Sequence, residues 1–298
     1  MQIAAISWNL FHGRDYPPDP ALFTWRSRLL RISERNTTHV QVNRDLLDEF
    51  AAILGNAEWD VALLQECPPR WCAPLAEACD AEAHRVLTSR NSFGPLRALA
   101  ARLNPDLIAS GEGGSNLILV RKSFRCDLSV PERRKSHRNG VIVKRRGMTI
   151  HAGPLERRAM GFVRVAGDAD SLSGAGTSLC VANLHASAHR PELTAEDVLR
   201  AAAAADRWAG DTPLLFGGDL NLRPAESPAL FDELHERFDL AGTTAPRAID
   251  HLLARGLETV EAPRQWQPER RERRQDGLAL RLSDHAPVEA CFATPPSR

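Results

Sequence analysis

Short apolar runs recur along the chain, and several stop on an acid, an amide or an imidazole. Residues 3–8 read as a strand ending at Asn9, residues 60–66 as a second ending in Gln65-Glu66, and 115–120 as a third. Residues 159–165, 179–185, 214–219, 248–253 and 286–292 show the same pattern, and 84–88, 141–143 and 148–151 are shorter candidates. Apolar runs of this length bounded by turn residues mark buried strands. Helical spacing appears elsewhere. Leu46, Leu47, Phe50, Ile53 and Leu54 predict an amphipathic helix over 43–54, with Gly55-Asn56 as its stop. Residues 70–80, 93–103, 194–208 and 228–238 read as further helices, with a short one inside 22–32. The alanine-rich 194–208 is the longest of them. Polar stretches at 111–114, 133–140, 167–178 and 262–276 read as turns or loops. Strands and helices interleave without strict alternation, and no Pro/Ser-rich linker divides them. A single domain over 1–293 is expected, with 294–298 a frayed tail.

One run carries more chemistry than the others. Leu214-Leu215-Phe216 leads into Gly217-Gly218-Asp219-Leu220-Asn221. The glycines allow a sharp turn or a close backbone approach. If strand alternation continues, Asp219 and Asn221 point the same way and Leu220 turns into the core. A carboxylate there can hold a cation or orient a nucleophile, and an amide can donate to an anionic oxygen.

Composition narrows the class. Hydrophobic residues make up 43% and charged residues 26% of the 298, as in an ordinary water-soluble protein. Net charge is zero, which excludes a uniformly basic nucleic-acid coat but not a local patch. Such a patch exists: residues 121–164 hold thirteen Lys/Arg against three Asp/Glu. A second cluster is Arg270, Arg271, Arg273 and Arg274. The six cysteines form no C-x-x-C pair and read as reduced, mostly buried thiols. Residues 1–8 lack the basic and apolar regions of a secretory leader, and no apolar run can cross a bilayer. A cytoplasmic location follows as an expectation.

The polar strand ends are Asn9, Gln65-Glu66, Asn183-Leu184-His185, Asp219-Leu220-Asn221, Asp250-His251 and Ser283-Asp284-His285. Taken singly, each reads as a turn, a cap or a satisfied core residue. Adjacent strands would gather them at one rim of a sheet, where an oxygen-rich set suits a hard cation such as Mg²⁺ or Mn²⁺. No Cys/His cluster at zinc spacing competes.

This ordered set, from Asn9 to His285, resembles the endonuclease/exonuclease/phosphatase superfamily of metal-dependent phosphoesterases. The resemblance implies an α/β (α+β) fold of the DNase I-like kind: a four-layered sandwich of two packed mixed β-sheets flanked by helices. It implies Glu66 as main ligand of Mg²⁺ or Mn²⁺, with Asn9 beside it and Asp284 completing the metal shell. His285, oriented by Asp250, would activate water or polarise the phosphate. Asp219 would align or deprotonate the water, Asn221 would donate to the phosphate, and His185 would stabilise the departing oxygen. Asn183 and an arginine preceding a central strand would face the substrate phosphate. Arg157 and Arg158 both stand there, and Arg158 is taken as the candidate. His12, His151 and His251 read as structural or surface residues.

The implied reaction is hydrolysis of a phosphate ester by in-line attack of water. The basic block favours a nucleic-acid phosphodiester as substrate. The Asn-x-His of 183–185 also fits phosphatases acting on a small molecule or a lipid headgroup, and Tyr16 stands too early for the mid-chain tyrosine of abasic-site enzymes. A noncatalytic binding module with the same fold is the reading from another class. Its mark, a missing ligand or base, is absent from the sequence.

Overall fold

The computed structural model describes residues 2–88, 93–124, 141–152, 157–166, 178–188 and 190–295. Two mixed sheets face each other. The first runs in the order Glu258–Gln265, Val288–Ala293, Gln2–Asn9, Val61–Cys67, Ser115–Arg121, Ala81–Leu87. The second runs Asp250–Arg255, Leu214–Asp219, Ser178–His185, Arg157–Ala166, Val141–Ala152.

Strand alternation divides the apolar residues among layers. Ala5, Leu63, Ile118, Val181, Leu215 and Leu252 point between the sheets and form a shared core. Ile6, Trp8, Leu64 and Leu119 point outward and pack with Phe50 and Leu54 of the helix Leu47–Asn56 and Leu75 of Cys72–Ala78. On the far side Phe162, Ala182 and Phe216 pack under Pro191–Ala209 and Pro228–Phe238. The order helix, sheet, sheet, helix is the four-layered sandwich expected. Both faces of the central strands are covered, which is why they read as near-continuous apolar runs.

Local chemistry moves several boundaries. The helix expected over 43–54 begins at Leu47, because the Asn43 amide is committed to Ser27 O and Arg28 O. Asp45 Oδ1 then accepts from Leu47 N at 3.2 Å. The turn expected at 111–114 partly belongs to a helix, Pro105–Glu112, started by Asn104 accepting from Leu107 N. The two short strands expected at 141–143 and 148–151 are one strand, Val141–Ala152, at a sheet edge. Its exposed middle, Lys144-Arg145-Arg146, hides the strand pattern because edge positions carry charge readily. The polar stretch 262–276 holds the end of Glu258–Gln265 and a hairpin strand, Glu272–Gln275, paired with Leu278–Arg281. The basic loop 133–140 and residues 167–177 of the expected hairpin connection lie outside the described residues. Cys67, Cys72, Cys79, Cys180 and Cys291 are all free thiols, four of them buried.

Candidate active site

Register lines up the polar strand ends. Asp219 lies directly across from His185 on one side and Asp250 on the other. In the first sheet Asn9 lies across from Gln65. Parallel pairing makes Gln2–Asn9 finish beside Val61–Cys67, and Ser178–His185 beside Leu214–Asp219. All of these ends meet at one rim of the sandwich.

Two glycines permit that approach. A Cβ on Gly217 would stand 2.4 Å from His251 O, and one on Gly218, at φ +128°, 1.9 Å from Leu184 O. Real Cβ atoms do not come so near, so neither strand pairing would survive a side chain there.

The strand stops at Asp219 rather than continuing to 221. Leu220 enters the outer core, as alternation predicts. Asn221 instead turns back with φ +54°, and its N–H donates to Asp219 Oδ1 at 3.0 Å. Its side-chain amide donates to Ala186 O at 3.1 Å. The acid and the amide therefore meet through a turn.

Glu66 is placed by a distortion. Ala62 and Leu64 face outward, so alternation would put Glu66 under the outer helices. Its φ is +48°, and pairing with Ser115–Arg121 slips between Leu64 and Cys67. The bulge re-aims the carboxylate toward the other sheet, with Oε1 3.9 Å from His185 Nε2. Phe11, His12 and Ser283 are also left-handed, at φ +49°, +54° and +60°. Sparsely populated backbone states thus gather at this rim, as they do at functional sites.

The side chains form one polar web. Asn9 Nδ2 donates to Asp219 Oδ2 at 3.0 Å, and Asn9 Oδ1 accepts from Phe11 N at 2.9 Å. His285 Nδ1 is 2.8 Å from Asp250 Oδ2, which leaves Nε2 3.9 Å from Asp219 Oδ2. Asp284 Oδ1 is 3.9 Å from the same Nε2. His185 Nε2 is 3.4 Å from Asp219 Oδ2. His12 Nε2 is 3.2 Å from Glu66 Oε2, so the turn after the first strand supplies a site residue that the sequence pattern does not mark. Nothing in its spacing signals the role; the left-handed turn creates it.

A further set of hydrogen bonds fixes the last loop. Ser283 Oγ donates to Asn9 O at 2.6 Å and accepts from His285 N at 3.0 Å. Arg271 Nη1 donates to Leu282 O, Ser283 O and His285 O. One arginine in a cluster of four cannot be singled out by sequence. Burial, aided by the charge of Arg281, lowers this guanidinium to about 10.

Burial and the charge of Asp250 lift Asp219 to about 7. Burial alone would lower His285, but Asp250, Asp219 and Asp284 outweigh it and raise it to about 10. Burial, reinforced by the charges of Arg158, His285 and His12, holds His185 well below its ordinary value. Burial also lowers His12, with Glu66 opposing, and lifts Asp284, with His285 opposing and Glu66 adding to the rise.

Of the two arginines, Arg158 is the buried one, and its charge reaches His12 and His185. Arg157 is exposed and donates to Thr149 Oγ1. Asn183 is the expectation the geometry corrects. Its Nδ2 donates to Leu64 O and Leu117 O of the opposite sheet, and its Oδ1 accepts from Gln65 Nε2 at 2.8 Å. Lying two residues before His185 on the same face, it ties the sheets beneath the rim instead of facing a substrate. His251 is structural as expected, lying 3.2 Å from Leu222 O and edge-on to Phe231.

A divalent cation fits this donor chemistry. The rim converges four carboxylates, Glu66, Asp219, Asp250 and Asp284, and buried Asp250 Oδ1 has no hydrogen-bond partner among the described residues. Donor atoms of Asp219, Asp250 and His285 lie within 4.8 Å of one another. These are hard oxygen donors with one imidazole, a set that suits a hard divalent cation.

Residues 6–285 match the Endonuclease/Exonuclease/phosphatase family. No curated protein matches the chain by sequence. Among solved structures, an endonuclease/exonuclease/phosphatase family protein from Bacteroides thetaiotaomicron superposes with TM-score 0.63 at 14% identity, covering 99% of this chain and 98% of that one. A mannosyl-6-phosphatase from the same organism gives 0.60 at 13% identity, covering 98% and 99%. The human Nocturnin catalytic domain with bound sulfate gives 0.57 at 14% identity, covering 99% and 95%. At these identities the likeness speaks to the fold alone, which is DNase I-like.

Proposed function

The chain belongs to the endonuclease/exonuclease/phosphatase family, and from that premise we propose that it is a divalent-metal-dependent phosphoesterase. It hydrolyses a phosphate ester by in-line attack of water. The observation that carries the reading is the alignment of Asp250, His285 and Asp219, faced across the sheet gap by Glu66.

Glu66 and Asp284, with Asn9 beside them, would hold Mg²⁺ or Mn²⁺. Such an ion supplies a Lewis acid for a phosphoryl oxygen and for the leaving oxyanion. The protein's own groups do the rest. Asp250 accepts from His285 Nδ1, which fixes the ring and aims Nε2 at the space beside Asp219. A water in that space is aligned by Asp219 and touched by His285. Asn221 and Arg158 would hold the phosphate, and His185 would face the departing oxygen. Asn9 keeps Asp219 in place.

The nuclease reading rests on the basic block. Lys144, Arg146 and Arg164 line a cleft of about 450 Å³ together with Arg207 and Trp208. Phe162 and Met148 place that cleft on the outer, helix-covered face. Arg164 pairs with Cys180, five residues before His185 and about 17 Å along the strand. These cations therefore do not line the rim. The phosphatase reading, on a small molecule or a lipid headgroup, needs none of these four cations, and Arg158 of the same block does reach the rim.

Asp219→Ala and His285→Ala test the assignment, with bis-p-nitrophenyl phosphate as substrate. Each should lower kcat by roughly 10²–10⁴-fold without unfolding the protein. Near-normal turnover in either variant would refute the role assigned to that residue.

A further inference from the structure

The helix Gly94–Leu103 is packed inside out. Ala101 is fully buried, while Leu96, Leu99 and Leu103 share the opposite face at i, i+3 and i+7 and stand open. Leu96 is 68% exposed and the preceding Phe93 76%. A neighbouring helix, Trp25–Leu30, does the same with Trp25, 66% exposed, and Leu29 and Leu30. The two meet where Asn104 Nδ2 donates to Arg28 O at 2.8 Å, and Asn43 bonds both Arg28 O and Asn104 Oδ1. So many large apolar groups exposed on two helices joined at their C-terminal ends mark an interaction site.

Charge says what kind. Over 25–32 and 93–108 the exposed charged side chains are Arg26, Arg28, Arg31 and Arg102. The acid in these stretches, Asp106, is buried against Gln41. Aromatic and leucine side chains among arginines, with no exposed acid in these stretches, match a bilayer interface of anionic lipids. A protein partner of mixed charge would not need an all-arginine border, and nucleic acid has no use for the leucines.

The surface runs on to the catalytic rim. Phe11, next to His12, meets Tyr16 at 5.7 Å between ring centroids, and Tyr16 meets Phe23 at 5.3 Å, just before Trp25. Arg14 stacks on Phe11 at 3.8 Å and feels the charges of Asp106, Glu66 and Asp284 together.

We propose that the helices Trp25–Leu30 and Gly94–Leu103 seat the protein on an anionic bilayer, presenting a lipid headgroup phosphate to Glu66 and its partners. The substrate half rests on the phosphoesterase reading above; the docking half does not.

Co-sedimentation with vesicles separates the two. Vesicles containing phosphatidylglycerol should bind the protein about 10-fold or more tighter than phosphatidylcholine alone, and salt should weaken the binding. Leu96→Glu with Leu99→Glu should abolish it while leaving the thermal midpoint and bis-p-nitrophenyl phosphate hydrolysis unchanged. Brominated lipid should quench tryptophan emission, and Trp25→Phe should remove most of that quenching. Absent binding to either vesicle, or binding that survives the double substitution, overturns the docking. So does a dimer that the same pair dissolves, because a second copy would then cover the face. A fall in midpoint without vesicle binding also overturns it, because the leucines would then be packed in the chain's own core. Docking without release of headgroup phosphate, in enzyme that cleaves bis-p-nitrophenyl phosphate, overturns the substrate half alone.

Discussion

Asn9 donates its amide to Asp219 across the gap between the two sheets, Nδ2 to Oδ2 at 3.0 Å. The residues are 210 positions apart in the chain, and each stands at the end of a buried strand. The bond holds one carboxylate oxygen of Asp219, while the other accepts from Asn221 N. Asn9→Ala should therefore lower kcat by about 10–100-fold, the usual cost of losing a group that orients a catalytic one. Substrate KM should change little. Steady-state kinetics on bis-p-nitrophenyl phosphate check this, and an unchanged kcat would mean that Asp219 needs no such support.

Asn183 gives the opposite signature. Its amide joins Leu64 O, Leu117 O and Gln65 Nε2 in a fully buried knot. Removing it strands those groups without water, at about 1–3 kcal/mol. Asn183→Ala should lower the thermal midpoint, while KM for the folded enzyme stays near that of the parent. A raised KM with an unchanged midpoint would instead support direct contact with the phosphate.

Asp15 makes stability depend on pH away from the reacting groups. It is fully buried; burial and the nearby charge of Asp106 push its carboxyl well above the usual range. Val42 N donates to Oδ2, and Oδ1 has no hydrogen-bond partner among the described residues. A raised carboxyl binds its proton more tightly folded than unfolded. Its contribution is thus most favourable below the unfolded value near 4 and is lost as pH rises toward the folded value. Asp15→Asn should raise the thermal midpoint at neutral pH and leave it nearly unchanged in acid. Scanning calorimetry of both proteins across pH reads the difference directly.

Much of this was legible because buried strands announce themselves. The runs ending at Asn9, Glu66, His185 and Asp219, and the one beginning at Asp250, are apolar on both faces, so a polar residue at the end of each stood out. What the pattern could not show is how backbone that breaks the period delivers three side chains to the rim, of which only His12 went unmarked. Glu66 reaches the rim through a bulge, Asn221 through a left-handed turn, and His12 through another. Asn183 shares its strand face with His185, so alternation could not tell a sheet-tying amide from a substrate-facing one. Edge strands carry exposed charge, so Val141–Ala152 reads as two short strands and the end of Glu258–Gln265 as part of a loop. Arg271 was hidden among neighbouring arginines, and only its three carbonyl partners single it out.

The most direct measurement is the rate of bis-p-nitrophenyl phosphate hydrolysis after chelation with EDTA and again after Mg²⁺ or Mn²⁺ is restored. The parent protein should lose activity on chelation and regain it with the metal. Glu66→Ala should stay inactive in both states and lose any metal-dependent rise in thermal midpoint. Hydrolysis that ignores EDTA, or a Glu66→Ala protein as active as its parent, would contradict a metal-dependent phosphoesterase built on this rim.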